Sequence, residues 1–68
     1  MNENPSQFPL KAVNERDAAA MLGWSVKTLQ ARRYRGEPPR YYKVGRSVRY
    51  LVSDLQAYLE SCLVEPVR

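Results

Sequence analysis

Apolar positions at helical spacing predict a first short helix near the start of the chain. The stripe consists of Ala18, Ala19 and Leu22. Asn14 stands before the stripe as an N-cap, since its side chain can accept a hydrogen bond from the free amides. Gly23 follows it and can adopt the left-handed conformation that ends a helix. We therefore predict a helix over residues 15–22.

A second helix is predicted almost immediately afterwards. Ser25 is again a capping residue, and neither Gly nor Pro interrupts the chain before Gly36. Val26 and Leu29 can point inward from a helix over residues 26–35. Two helices joined by a turn of about three residues form a helix-turn-helix arrangement, although any αα-corner would show the same pattern.

A small β-hairpin is predicted after the Pro-containing break at residues 36–39. Two β-rich runs, residues 41–44 and 47–50, flank Gly45-Arg46. A three-residue loop would put the apolar pairs on one face and Lys43 opposite Arg49 on the other. A two-residue loop would mix apolar and basic residues on both faces, so the pattern favours the three-residue loop.

The final apolar pattern predicts a third helix. Ser53 is expected to cap it, with Gln56 completing a capping box, and Pro66 to end it. The side chains expected to face the core are Leu55, Tyr58, Leu59 and Cys62, together with Tyr42, Tyr50 and Trp24. Cys62 is thus interpreted as a small buried apolar group and not as a reactive thiol.

The order of elements defines the fold class: mainly α with a small β-hairpin, a winged helix-turn-helix. With 68 residues the chain has room for one domain. The polar residues 1–12 are expected to form a flexible leader, residues 13–63 the domain, and residues 64–68 a frayed C-terminus.

The charge distribution is strongly polarised. Eight of the 11 Lys and Arg residues lie between Lys27 and Arg49, where Glu37 is the one acid, so this window carries a net charge of +7. The rest of the chain holds three cations and six acids, a net charge of −3. Such a block favours a polyanionic partner, above all a nucleic-acid backbone. A solvated basic face is the alternative.

The composition excludes several other functions. No histidine and a single cysteine leave no zinc-finger spacing, so neither a metal nor a cofactor is expected. No nucleophile has a base nearby in the sequence, and an enzyme is not expected. The absence of a secretion signal or an apolar span predicts a cytoplasmic protein without a membrane partner.

The second helix is predicted to enter the major groove of DNA, which is wide enough for an α-helix. Gln30 and Arg32 suit bidentate contacts to adenine and guanine, whereas Arg33 could clamp the backbone or form a structural ion pair. The helix residues expected to reach DNA are Ser25, Lys27, Thr28, Gln30, Ala31, Arg32, Arg33 and Arg35. Those of the wing are Lys43, Arg46, Ser47 and Arg49, with Arg46 at the tip.

These segments together resemble the small excisionase-like and AlpA-like winged helix-turn-helix proteins of phages and mobile elements, relatives of the MerR DNA-binding domain. The resemblance covers residues 13–63. It is carried by Asp17-Ala18-Ala19, Leu22-Gly23, Ser25-Val26-Lys27-Thr28-Leu29, Arg33-Tyr34-Arg35-Gly36, Pro39-Arg40-Tyr41, Lys43-Val44-Gly45-Arg46, Val48-Arg49-Tyr50, Ser53-Asp54-Leu55 and Tyr58-Leu59. Many relatives have an aromatic or aliphatic residue where Arg32 stands.

The resemblance implies double-stranded DNA binding by the second helix and the wing. Excisionases bind repeats beside an attachment site, bend the DNA and steer a tyrosine- or serine-type integrase toward excision. Other members regulate transcription of the mobile element, which is the close alternative here. One module buries only about 600–1,000 Å² on DNA, so neighbouring copies are expected to bind together. No small-molecule effector is expected, and an adaptor for an acidic protein is a third hypothesis.

Overall fold

The computed structural model describes residues 11–66. The first ten residues of the predicted leader and the last two residues of the predicted C-terminal segment lie outside this range. In chain order the elements are β1 (Ala12–Val13), α1 (Glu15–Leu22), α2 (Val26–Tyr34), β2 (Tyr42–Val44), β3 (Ser47–Leu51) and α3 (Val52–Ser61). Three helices and a three-stranded antiparallel sheet of order β1-β3-β2 confirm the winged helix-turn-helix.

The two predicted N-caps close the helix-turn-helix unit. Asn14 Oδ1 accepts a hydrogen bond from the Asp17 amide at 2.8 Å, and Ser25 Oγ accepts one from the Thr28 amide at 3.1 Å. Gly23 ends α1 in the left-handed region, with φ 74°. The bounds of α1 agree with the prediction. Helix α2 ends one residue earlier than predicted, and Arg35 is its C-cap.

The core lies where α1, α2, α3 and the sheet meet. Its fully buried members are Ala18, Ala19, Leu29, Tyr50 and Leu55, each no more than 1% exposed. Partly buried apolar side chains pack around them, including Trp24, as predicted. Ala19 is buried in α1, and Leu29 fixes the side of α2 that faces the core.

Strand β1 was not predicted. Ala12 and Val13 pair with Leu51 and Tyr50, and the Val52 amide donates to the Lys11 carbonyl at 2.8 Å. Two residues are too few to show an alternating pattern, so this pairing leaves no sequence signal. Ala12, assigned to the leader, therefore belongs to the sheet at the base of the hairpin.

The predicted three-residue hairpin loop is wrong. The pairs are Tyr42 with Arg49, Lys43 with Val48, and Val44 with Ser47, which leaves a two-residue loop. Gly45 has φ 62°, matching the glycine at the first central position of a type II′ turn. The prediction failed because β2 is an exposed edge strand, so burial does not impose the alternation on which the argument relied.

The two-residue loop changes which side chains share a face. Tyr42 was expected in the core, but it lies opposite Arg49 on the outer face and is 39% exposed. Tyr50 is fully buried, as predicted, and Tyr58 is half-buried. Lys43 and Arg49 do not form the predicted cross-strand pair, so the like-charge repulsion expected between them does not arise.

Helix α3 departs from its predicted start. It begins at Val52, directly after β3, and its N-cap is Leu51 with no side-chain hydrogen bond. The predicted capping role of Ser53 is therefore wrong. Strand β3 runs directly into α3, so no linker remains in which a capping box could form. The Lys11 carbonyl accepts a hydrogen bond from the first amide of the helix instead.

The last turns of α3 are also more exposed than predicted. The helix ends at Ser61, well before Pro66, and only Leu55 of its apolar stripe is fully buried. Leu59 is 45% exposed, and Cys62 is an exposed free thiol, so its predicted burial is wrong. In the described part of the chain α3 packs mainly on α1 and β3. Within residues 11–66, none of the helices has the length and apolar character needed to cross a membrane.

Candidate nucleic-acid interface

One face of α2 points to solvent, opposite the buried Leu29. Lys27, Ala31 and Tyr34 follow one another at spacings of four and three residues along this face. The complete exposed stripe is Lys27, Thr28, Ala31, Tyr34 and Arg35, in which only Ala31 is partly buried. Four of these five positions were predicted from the sequence. Tyr34 was not, although it is 80% exposed.

Two hydrogen bonds join Ser25 and Thr28 in the N-terminal turn of α2. The Ser25 hydroxyl donates to Thr28 Oγ1 at 3.0 Å while its oxygen accepts from the Thr28 amide. Both predicted side chains are exposed and are hydrogen-bonded to each other. A helix N-terminus carries partial positive charge, and the adjacent exposed Lys27 adds a full one, so this end of α2 favours an anion.

Arg33 forms the structural ion pair that was one of its two alternatives. Its side chain is 12% exposed, and Nη1 donates to Glu15 Oε1 at 3.1 Å and to the Tyr50 hydroxyl at 3.2 Å. The rings of Tyr34 and Tyr41 lie 5.6 and 5.7 Å from its guanidinium. Partial burial lowers the pKa of Arg33, but the bonds to Tyr50 and Glu15 outweigh it and raise the pKa above its ordinary value.

Gln30 is joined to the same acid. Its Nε2 donates to Glu15 Oε2 at 3.0 Å, and the side chain is half-buried at the edge of the exposed stripe. One carboxylate from the first turn of α1 thus binds two residues of α2. Proximity between positions 15 and 30 leaves no local signal in the sequence, so this link was not predicted.

The guanidinium of Arg32 makes its contacts within the fold. Its guanidinium lies 4.9 Å from the centroid of Trp24, and Nε donates to the Pro38 carbonyl at 2.7 Å. A further bond reaches the Tyr58 hydroxyl at 3.2 Å. A guanidinium stacks on aromatic rings nearly as a flat apolar group would. These contacts bind the Arg32 guanidinium to Trp24, Pro38 and Tyr58 within the fold.

Arg35 and Glu37 form a bidentate pair at the end of α2. The two nitrogen–oxygen distances are 2.9 and 3.0 Å, and Arg32 Nη1 lies 3.7 Å from the same carboxylate. The hydrogen bond to Glu37 raises the pKa of Arg35, and the bond from Arg35 lowers the pKa of Glu37. Arg35 remains 57% exposed, so it sits on the surface with its charge largely matched.

The wing carries the other predicted cations. Lys43, Arg46 and Ser47 are exposed, and Arg46 lies in the loop at the tip. Arg49 is half-buried, and its Nη1 donates to the Val48 carbonyl at 3.0 Å. Lys43 shares its face with Val48, which packs against the core, so this lysine lies on the side of the wing that faces α2.

A cleft of about 400 Å³ separates the wing from the C-terminal half of α2. Arg33 and Tyr34 line it from the helix, and Tyr41, Lys43 and Val48 line it from the hairpin segment. The exposed stripe and the wing therefore adjoin a common concave surface. Tyr34 and Tyr41 were missed because tyrosines in a small domain are more often core residues than surface contacts.

These features define a DNA-binding class of fold, and the family comparison agrees. The chain belongs to the helix-turn-helix domain family, whose model matches residues 14–63. The match covers α1 through α3 and includes both the exposed stripe and the wing. No curated protein matches the chain.

Proposed function

We propose that this protein binds double-stranded DNA sequence-specifically through α2 and the wing. The observation that carries the proposal is the cleft, where Tyr34 of the exposed stripe meets the exposed Lys43 on the inner side of the wing. A helix in the major groove and a hairpin at the adjoining minor groove have one sugar–phosphate strand between them. That strand would follow the cleft.

The proposed contacts differ from the predicted set at three positions. Arg32 and Arg33 hold the fold together and are assigned structural roles, while Tyr34 joins the contacts. The helix contacts proposed are Ser25, Lys27, Thr28, Gln30, Ala31, Tyr34 and Arg35, and those of the wing are Lys43, Arg46, Ser47 and Arg49. Base recognition rests on Gln30 and Thr28, and the charged residues position the backbone.

The charge pattern sets the scale of the electrostatic contribution. Among residues 11–66, three of the eight window cations lie in ion pairs, namely Arg32, Arg33 and Arg35. The remaining five are Lys27, Arg40, Lys43, Arg46 and Arg49. If all five met phosphates, log affinity would fall with log salt at a slope of about −4.5 per bound copy.

The biological role proposed is that of an excisionase of a phage or integrative mobile element. Copies bound side by side on repeats would bend the DNA and direct a tyrosine- or serine-type integrase toward excision, at the nucleoid of a bacterial cell. The support is the family membership, the resemblance of the motifs and the small footprint of one module, about 600–1,000 Å². Regulation of mobile-element genes by an AlpA-like protein uses the same surface and is the second candidate.

Gel-shift and bending assays on attachment-site DNA and on promoters of the element test both roles. We expect ladders of complexes on attachment-site repeats, increased bending with each step, and stimulated excision in a reconstituted integrase reaction. Strong promoter binding without any effect on excision would favour the regulator. No duplex binding even at low salt would refute DNA binding and leave the acidic-protein adaptor.

A further inference from the structure

Glu15 is an acid at the border of a basic surface, and its contacts are specific. It lies in the first turn of α1, yet both carboxylate oxygens bind α2, Oε2 accepting from Gln30 Nε2 and Oε1 from Arg33 Nη1. The amide of Asp17 is already bound by Asn14, and Asp17 itself supplies charge to the N-terminus of α1. Capping therefore does not account for Glu15.

The carboxylate of Glu15 determines which way the Gln30 amide faces. A glutamine side chain ends in one oxygen and one nitrogen of almost equal size, so a half-turn exchanges a donor for an acceptor. An ionised carboxylate only accepts hydrogen bonds. Nε2 must therefore face Glu15, because the opposite orientation would bring Oε1 against a negatively charged oxygen.

Arg33 keeps the carboxylate in place. Its Nη1 donates both to Glu15 and to the Tyr50 hydroxyl, and Tyr50 is fully buried. Glu15 is itself 32% exposed and would otherwise be able to swing into solvent. The chain of contacts from the core to Gln30 thus passes through Tyr50, Arg33 and Glu15.

We propose that Glu15 is a positioning residue that makes Gln30 an adenine reader. This inference rests on the DNA-binding function proposed above. Nε2 carries two hydrogens, and the bond to Glu15 uses one. The other hydrogen and Oε1 form a donor–acceptor edge that matches N7 and the N6 amino group of adenine in the major groove. Glu15 never touches the base and acts through Gln30.

Replacing Glu15 by Gln tests the proposal, since the two side chains have nearly the same shape. Arg33 would donate its hydrogen bond to the amide oxygen of the new glutamine. The N–H₂ group of that glutamine would then face Gln30. That group now favours the reversed Gln30 amide and the wrong edge toward the base. Removing a negative charge beside DNA also makes non-specific binding equal or stronger. The adenine preference is therefore expected to fall while the affinity for non-specific DNA stays level or rises.

The experiment selects sequences from a randomised duplex library with the wild type and with Glu15→Gln, followed by binding to a scrambled duplex. We expect one position with an adenine preference in the wild type, reduced about 5- to 150-fold in Glu15→Gln, the discrimination of one bidentate contact. Affinity for the scrambled duplex should stay level or rise. Glu60→Gln removes an exposed carboxylate from α3 and controls for net charge. Its adenine preference should be unchanged.

A second background separates positioning from general structural support. In Gln30→Ala, where the adenine preference is already lost, adding Glu15→Gln should change the base preferences no further. An unchanged adenine preference in Glu15→Gln, or equal loss of affinity for every duplex with a lowered melting temperature, would overturn the positioning role. Failure of the wild type to bind any duplex would instead refute the proposed function itself.

Discussion

Arg33 and Arg46 are both arginines of the basic window, but the structure gives them opposite roles. Arg33 is nearly buried and bound to Glu15 and Tyr50, whereas Arg46 lies exposed at the wing tip. We predict that Arg33→Ala lowers the stability of the fold and leaves the salt dependence of DNA binding unchanged. Arg46→Ala should leave the stability of the fold nearly unchanged and reduce the salt dependence of DNA binding.

The magnitudes follow from burial. Breaking an exposed ion pair costs about 0–1 kcal/mol and breaking a fully buried one about 3–5 kcal/mol. Arg33 is 12% exposed and Glu15 32%, so this pair lies between the exposed and the fully buried case. The expected loss of stability in Arg33→Ala is therefore about 2 kcal/mol. In a domain of this size that lowers Tm by about 8–16 °C. Arg46→Ala should change stability by less than about 0.5 kcal/mol and the salt slope by about 0.9.

Thermal or urea unfolding followed by circular dichroism gives the first quantity, and binding to one duplex over a range of salt concentrations gives the second. Binding is measured well below the lowered Tm of Arg33→Ala, so that the variant is folded. A slope reduced by about 0.9 in Arg33→Ala with an unchanged Tm would show that Arg33 meets phosphate, and the assignment from its contacts would be refuted.

Three further substitutions test separate parts of the structure. Leu29→Ala should destabilise by about 2–5 kcal/mol, because the side chain is 1% exposed; a melting curve close to wild type would place Leu29 outside the core. Tyr34→Phe removes only a hydroxyl from a residue that is 80% exposed, so stability should not change. Because the variant loses the hydrogen bond proposed between this hydroxyl and DNA, affinity should fall about 2- to 12-fold. Equal affinity would show that this hydroxyl makes no contact. The hydrogen bond from Arg35 lowers the pKa of Glu37 below its ordinary value of 4.5. The bond therefore stabilises the fold fully above pH 4.5, and this stabilisation is lost as the pH falls through the lower pKa of the folded state. The stability difference between wild type and Glu37→Gln should therefore vanish in acid, and a constant difference would contradict it.

Local patterns were sufficient to predict the helix-turn-helix unit. The N-caps Asn14 and Ser25 and the C-terminal Gly23 act within a few residues of chain, so their geometry is encoded where they stand. The core residue Leu29 follows from helical spacing alone. Such signals survive because no distant contact is needed to choose between the conformations that they favour.

The features that were missed depend on contacts between distant segments. Strand β1 exists because it pairs with β3, and the same pairing supplies the carbonyl that replaces the expected Ser53 cap. The hairpin register follows from the Gly45 turn, because β2 buries no side chain that would impose a face. Arg32 and Arg33 could be recognised as structural only once Trp24 and Glu15 were seen beside them.

The acids of this chain divide its cations between folding and binding. Glu15 and Glu37 together engage the three arginines that follow Ala31, although the charge window itself contains only Glu37. Charge counted along the sequence therefore overstates the positive charge of α2. Among the five unpaired cations of the charge window, Lys27 lies at the start of α2, and Lys43, Arg46 and Arg49 lie on the wing. In the proposed complex a duplex would meet positive charge where the helix enters a groove and where the wing crosses the backbone, while Arg33, bound to Tyr50 of β3, links α2 to the wing.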